Sequence, residues 1–233
     1  MRVVLIHGSG GNAETAWAAV RPLGERFTLV TPNRGGYPPN PLLERVDFAV
    51  QAAELAALLE DGAHLVGHSY GAVIALLIAA AHPERVRSLV VSEPPAFALA
   101  RGNPDVDSLV ERLDAHFARG PRDARAFAEG FLALVGTKAQ LPDPLPPAAE
   151  QSIRATMAER MPWEAEIPVD ELAAAGFPKL VISGAHHPAF DAVCDVLEER
   201  LPARREVLPG AGHGIPRAPG YLELLTGFLD DSG

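Results

Sequence analysis

The sequence is short of three things. Its 233 residues hold one cysteine, Cys194, so no disulfide can form within the chain, and that residue reads as a small buried helix side chain. Apolar runs are short as well. The longest, Ala72 to Ala81, is about half of the roughly 20 residues that a membrane-spanning helix needs. Positive charge is scarce: 20 Lys and Arg against 30 Asp and Glu leave a formal charge of −10. That balance argues against a nucleic-acid partner, because phosphate binding needs a basic face, although a local basic pocket for an acidic small molecule stays open. The chain begins a strand at Val3-Val4-Leu5-Ile6 without a basic segment, apolar core and cleavage site, so no secretory peptide is expected and a soluble, cytoplasmic protein is.

What is present suits one well-buried domain: 48% hydrophobic and 21% charged residues over a length that leaves room for an inserted subdomain. Short β-branched runs alternate with segments of helical spacing. Strands are expected at residues 1–8, 26–31, 64–68, 86–92, 178–184 and 205–208, with helices following Trp17 and at 44–60, 72–81, 189–200 and 221–229. This rhythm predicts an α/β fold with a doubly wound, mainly parallel sheet and right-handed crossovers. Between residues 96 and 177 the rhythm stops. Amphipathic helical stretches around 106–119, 122–135 and 148–159, with a proline-dense segment at 141–147, read as a helical cap inserted into a core made of residues 1–95 and 178–233.

One stretch organises the rest. His64-Leu65-Val66-Gly67-His68-Ser69-Tyr70-Gly71 places a serine inside Gly-x-Ser-x-Gly, between an apolar strand and a long apolar helix. The turn requires glycine at 67 and 71 because a side chain at either would strike neighbouring backbone, and it thrusts the Ser69 hydroxyl clear of the strand end. Serine needs a base within reach, and the base needs an orienting carboxylate. His213, in the glycine-rich loop 209–214 after the last strand, is the expected base. The loop His7-Gly8-Ser9-Gly10-Gly11 offers backbone N–H groups for half of an oxyanion hole. His7 and His68 flank this site, whereas His64, His82 and His116 read as surface or helix-end residues.

The chain resembles the α/β-hydrolases along essentially its full length. The motifs that carry the resemblance are His7-Gly8, Gly67-His68-Ser69-Tyr70-Gly71, the cap, and Gly210-Ala211-Gly212-His213. The resemblance implies Ser69 as nucleophile, His213 as base, and an oxyanion hole formed by the N–H groups of Tyr70 and Ser9, with Gly10 as the alternative second donor. Members usually place the acid in a Gly-x-x-Asp-Pro segment after the cap. Here that segment reads Gly184-Ala185-His186-His187-Pro188, with His187 in the aspartate's place. Two carboxylates remain. Glu93 follows the strand next to the nucleophile strand, a position from which haloalkane dehalogenase-like branches of the family draw their acid; Asp191 lies four residues beyond His187, on the first turn of a helix. Glu93 is favoured on the geometry of a doubly wound sheet.

The expected activity is a serine hydrolase cleaving small to medium esters or thioesters, without a cofactor or metal, acting on a small-molecule substrate as a monomer or homodimer. His68 and Trp163 are expected to line the substrate pocket. Two alternatives stand beside it: a carbon–carbon hydrolase, lyase or haloperoxidase-like enzyme on the same scaffold, and a non-catalytic ligand-binding member suggested by His187. The adjacent His186 and His187 are not read as metal ligands, since neighbouring side chains diverge.

Overall fold

A computed structural model describes residues 1–137 and 140–232. Strand β1 (Arg2–Ile6) is followed by a short helix α1 (Ala13–Ala16), a 3₁₀ segment at Ala18–Glu25, and strand β2 (Thr28–Val30). Helix α2 (Phe48–Leu55) leads to β3 (Ala63–His68), α3 (Tyr70–Ala81) and β4 (Val86–Ser92). Four helices then follow in succession: α4 (Pro104–Arg119), α5 (Ala124–Leu134), α6 (Pro147–Met157) and α7 (Val169–Ala174). Strand β5 (Lys179–Ser183), α8 (Pro188–Arg200), β6 (Ala203–Val207) and α9 (Tyr221–Asp231) complete the order.

The strands form one sheet in the order β2-β1-β3-β4-β5-β6, and every pairing is parallel. Parallel strands covered on both faces are apolar throughout, and β3, β4 and β5 are buried along almost their whole length. The period of two divides their side chains between two cores. Leu65 and Val91 face α2, α3 and α8, while Val66, Val90 and Ile182 face the other way, onto Trp17, Leu23, Leu225 and Leu229. Each such side chain taken from water contributes about 1.5–3 kcal/mol. Helix α3 is apolar all round, and both neighbouring layers enclose it.

Several local expectations shift. Pro22 interrupts the stretch after Trp17, which winds as a 3₁₀ segment after the short α1. The helix expected at 44–60 begins only at Phe48, where the Asp47 carboxylate accepts the Ala49 N–H (2.9 Å), and it tightens into a 3₁₀ turn at Ala56–Leu59. Helix α7 is too short to carry a periodic signal. His64 is not on the surface: it is fully buried in β3, 2.8 Å from the Ser88 hydroxyl.

The helical segment between β4 and β5 lies across the carboxyl ends of the strands. Its chain is stitched to the core beyond α6, where Val46 N–H donates to Ala158 C=O (2.9 Å) and Arg160 N–H donates to Val46 C=O (2.7 Å).

Candidate active site

Ser69 stands between β3 and α3 with φ 53° and ψ −126°, a conformation that costs a side-chain-bearing residue on the order of 1–3 kcal/mol. Close packing explains the two glycines. A Cβ on Gly71 would run into the backbone oxygens of Ile6 and His7, and one on Gly67 would lie 2.6 Å from Ala72 Cα. The bend lifts the Ser69 hydroxyl off the strand end and puts the Tyr70 N–H at the start of α3, where helix N–H groups lack intrahelical partners.

Sheet order brings distant residues to this bend. Ser69 O–H donates to His213 Nε2 (2.9 Å), and His213 Nδ1–H donates to Glu93 Oε2 (2.6 Å). Glu93 directly follows β4, also at positive φ (46°), and is fully buried. Burial alone would raise its pKa, but hydrogen bonds from His186 and His213, the positive charge developed on His213, and the Gly184 N–H (2.7 Å) outweigh it and hold the carboxyl near 2. Asp191, the other acid considered, is turned elsewhere: it accepts from the Ser183 hydroxyl at 2.6 Å and lies 3.7 Å from Arg205. His187 does not take over the missing aspartate's contact. It caps α8, its Nδ1 accepting the Ala189 N–H (3.2 Å). Its neighbour His186 reaches Glu93 instead, with Nδ1 at 3.1 Å from Oε1.

The loop after β1 is held from the far side. Ser9 O–H donates to Glu159 Oε2 (2.5 Å), while Glu159 Oε1 accepts from Arg34 (2.7 Å) and Tyr37 (2.6 Å). Arg34 is fully buried, pairs with Glu159 and also holds Gly8 C=O (3.1 Å). The Gly10 N–H, the alternative second donor of the sequence reading, is committed to Thr156 Oγ1 (2.9 Å). Glu159, Arg34 and Tyr37 carried no motif in the sequence. Their only signal was a glutamate ending an amphipathic stretch and an arginine in a turn, and both patterns are common on surfaces.

Two cavities meet here. One of about 30 Å³ holds Ser69, His213, Tyr70, Glu159, Phe190 and Trp163. A second, of about 240 Å³, is walled by Phe127, Leu132, Leu141 and Ile153 from the helical segment and by Gly10 and His68 from the core. Ser9 and Phe131 line both. Trp163 therefore shares a cavity with Ser69, and its indole N–H is anchored on Asp114 (3.1 Å). His68 lies under the neighbouring cavity and donates Nε2–H to the His213 carbonyl (2.7 Å), and burial with the nearby His213 lowers its pKa to about 3. Glu93, His186 and His213 each present one possible ligand atom within 4.8 Å of the others; both histidines lie within hydrogen-bond distance of the Glu93 carboxylate.

A profile of the alpha/beta hydrolase family matches residues 3–221. The chain belongs to the alpha/beta hydrolase family. Among its relatives in this family is a pimeloyl-[acyl-carrier protein] methyl ester esterase of Aeromonas hydrophila, 29% identical over 97% of this chain and 94% of that protein. Two solved structures share the fold: NosK from Streptomyces actuosus (TM-score 0.69, 23% identity, 99% of this chain and 98% of that one) and a thermophilic esterase from Thermogutta terrifontis (TM-score 0.67, 19% identity, 100% and 90%). This family member places β3, the strand that ends at Ser69, in mid-sheet, and, among the described residues, no helix is long and apolar enough to cross a membrane.

Proposed function

We propose that this hydrolase is a serine esterase cleaving small to medium esters or thioesters, with the helical segment between β4 and β5 as the cap over its site. The observation that carries the reading is the unbroken chain from the Ser69 hydroxyl through His213 to Glu93. Ser69 Oγ attacks the acyl carbonyl while its proton passes to His213 Nε2. Glu93 holds Nδ1–H and stabilises the imidazolium. The carbonyl oxygen becomes an oxyanion that accepts from the Ser9 and Tyr70 N–H groups, a contribution of roughly 3–4 kcal/mol per donor. Collapse breaks the bond to the leaving group, which takes the proton from His213. Water then repeats the sequence on the acyl-serine and releases the acid.

The larger cavity supports an apolar chain as the recognised part, since its walls from the helical segment are aromatic and aliphatic and each buried methylene contributes about 0.8 kcal/mol. The relative from Aeromonas, whose name specifies a methyl ester esterase, points to the same bond type. The non-catalytic alternative rested on His187 at the aspartate's place; with Glu93 at 2.6 Å from His213 that motive no longer applies. The test is a series of p-nitrophenyl esters of increasing acyl length together with a fluorophosphonate probe. Turnover and labelling at Ser69, both absent in Ser69→Ala, are expected. Unchanged turnover in that variant overturns the proposal.

A further inference from the structure

The carboxylate of Glu93 is shared. Oε2 serves His213, and Oε1 accepts from Gly184 N–H and faces His186 Nδ1 at 3.1 Å. The second ring nitrogen of His186 is also occupied: Nε2 lies 3.0 Å from the carbonyl of Val135, at the end of α5. An ionised carboxylate and a backbone carbonyl have only lone pairs to offer. A neutral imidazole has one N–H and could satisfy one of them; the imidazolium has two and satisfies both.

The surroundings favour that form. His186 is only 12% exposed and stacks on Phe190 with ring centroids 5.8 Å apart. Burial works against the charge, but the hydrogen bond and the negative charge of Glu93, the Val135 carbonyl and the more distant Asp191 outweigh it, and the pKa rises. The other titratable groups around it are His213, with its ring 5.9 Å away, and His187, which itself feels Arg112 and Asp105 from α4. Ala185, at φ 49°, sets the bend that turns His186 inward.

We propose that His186 is a positioning residue held as an imidazolium, which clamps Glu93 with one N–H and the Val135 end of α5 with the other. This rests on the reading of Ser69, His213 and Glu93 as the catalytic chain. Two consequences follow. The acid is fixed in both position and charge, so the segment 184–188 supports the catalytic chain from outside although it has lost its aspartate. The cation also offsets part of the buried negative charge of Glu93 beside the His213 ring, so the pH dependence of turnover carries its signature. A unit charge at about 6 Å under an effective dielectric of about 20 is worth roughly one to two pH units in the acid limb of the activity profile.

The proposal is tested with His186→Gln and His186→Lys against the parent, with Glu93→Gln as the control for the catalytic chain. In His186→Gln the acid limb of the kcat/KM–pH profile moves upward by about one unit or more, whereas His186→Lys, which keeps a cation beside Glu93, leaves the limb within about 0.3 unit of the parent's. Long-range ¹H–¹⁵N spectra at pH 7 show protons on both ring nitrogens of His186. A single ring proton on His186, or an acid limb unmoved in a folded His186→Gln, overturns the clamp. If Glu93→Gln itself keeps parental turnover, the catalytic chain fails instead, and the two failures are told apart.

Discussion

The buried Glu159 carboxylate accepts from Ser9, Arg34 and Tyr37, and its side chain and that of Arg34 are 3% and 0% exposed. Replacing Glu159 with Gln keeps the shape and one acceptor but leaves the Arg34 guanidinium without a counter-charge inside the protein. Removing one partner of such a pair costs about 3–5 kcal/mol, and the retained amide oxygen puts this case near the lower end, at about 3 kcal/mol. For a chain of this size each kcal/mol lowers Tm by about 2–4 °C, so calorimetry at pH 7 should record a fall of about 6–12 °C. The double variant Arg34→Met with Glu159→Gln has no stranded charge and should be more stable than the sum of the two single losses by at least about 1.5 kcal/mol. Turnover should fall with Glu159→Gln, because the Ser9 hydroxyl loses its anchor and its N–H loses alignment. A drop under about 2 °C, or strict additivity in the double variant, refutes the view that this charge pair is what holds the loop after β1.

Three further outcomes are expected. Glu93→Gln should lower kcat on a p-nitrophenyl ester by about 10³–10⁴, since an amide does not hold His213 in the required tautomer, whereas Asp191→Asn should stay within about twofold because its carboxylate is engaged with Ser183. Phe131→Ala should merge the two cavities that its ring lines and raise the kcat/KM ratio of octanoate to acetate ester by about tenfold, about two methylenes' worth of apolar contact; an unchanged ratio places the acyl chain elsewhere. His7 is buried neutral, Nδ1–H on Gly8 C=O and Nε2 accepting Arg34 N–H, with its pKa lowered to about 3 by burial and the Arg34 charge. The unfolded chain takes up this proton below about pH 6.5, so the contribution is complete above that value and is lost as pH falls toward 3, at up to about 1.4 kcal/mol per unit. Urea midpoints between pH 6.5 and 4.5 should show a shallower slope in His7→Asn, a window above the 4.5-to-2 range in which Glu93 loses its own contribution.

Much of the scaffold was legible because its causes are local. Alternation of apolar runs with helical spacing set the sheet class, and Gly67 and Gly71, two residues on either side of Ser69, marked the bend, since a Cβ at 67 would meet the backbone of Ala72 and one at 71 that of Ile6 and His7. The choice between Glu93 and Asp191 was of a different kind. Each carried a reasonable motif position, and only the placement of β4 between β3 and β5 decided which carboxylate meets His213. His64 misled because a lone histidine at the start of a strand says nothing about the layer that covers it.

The sequence by itself determined where the chain bends, which runs form buried strands and which form helices, and that a serine and a late histidine were available, since these follow from sterics and periodicity within a few residues. Only the tertiary structure decided that Glu159 anchors Ser9 from 150 positions away, that Gly10 spends its N–H on Thr156, and that His186, not His187, touches the acid. Such pairings depend on how separate elements stack and on which polar groups that stacking strands, and no local pattern in the chain encodes it.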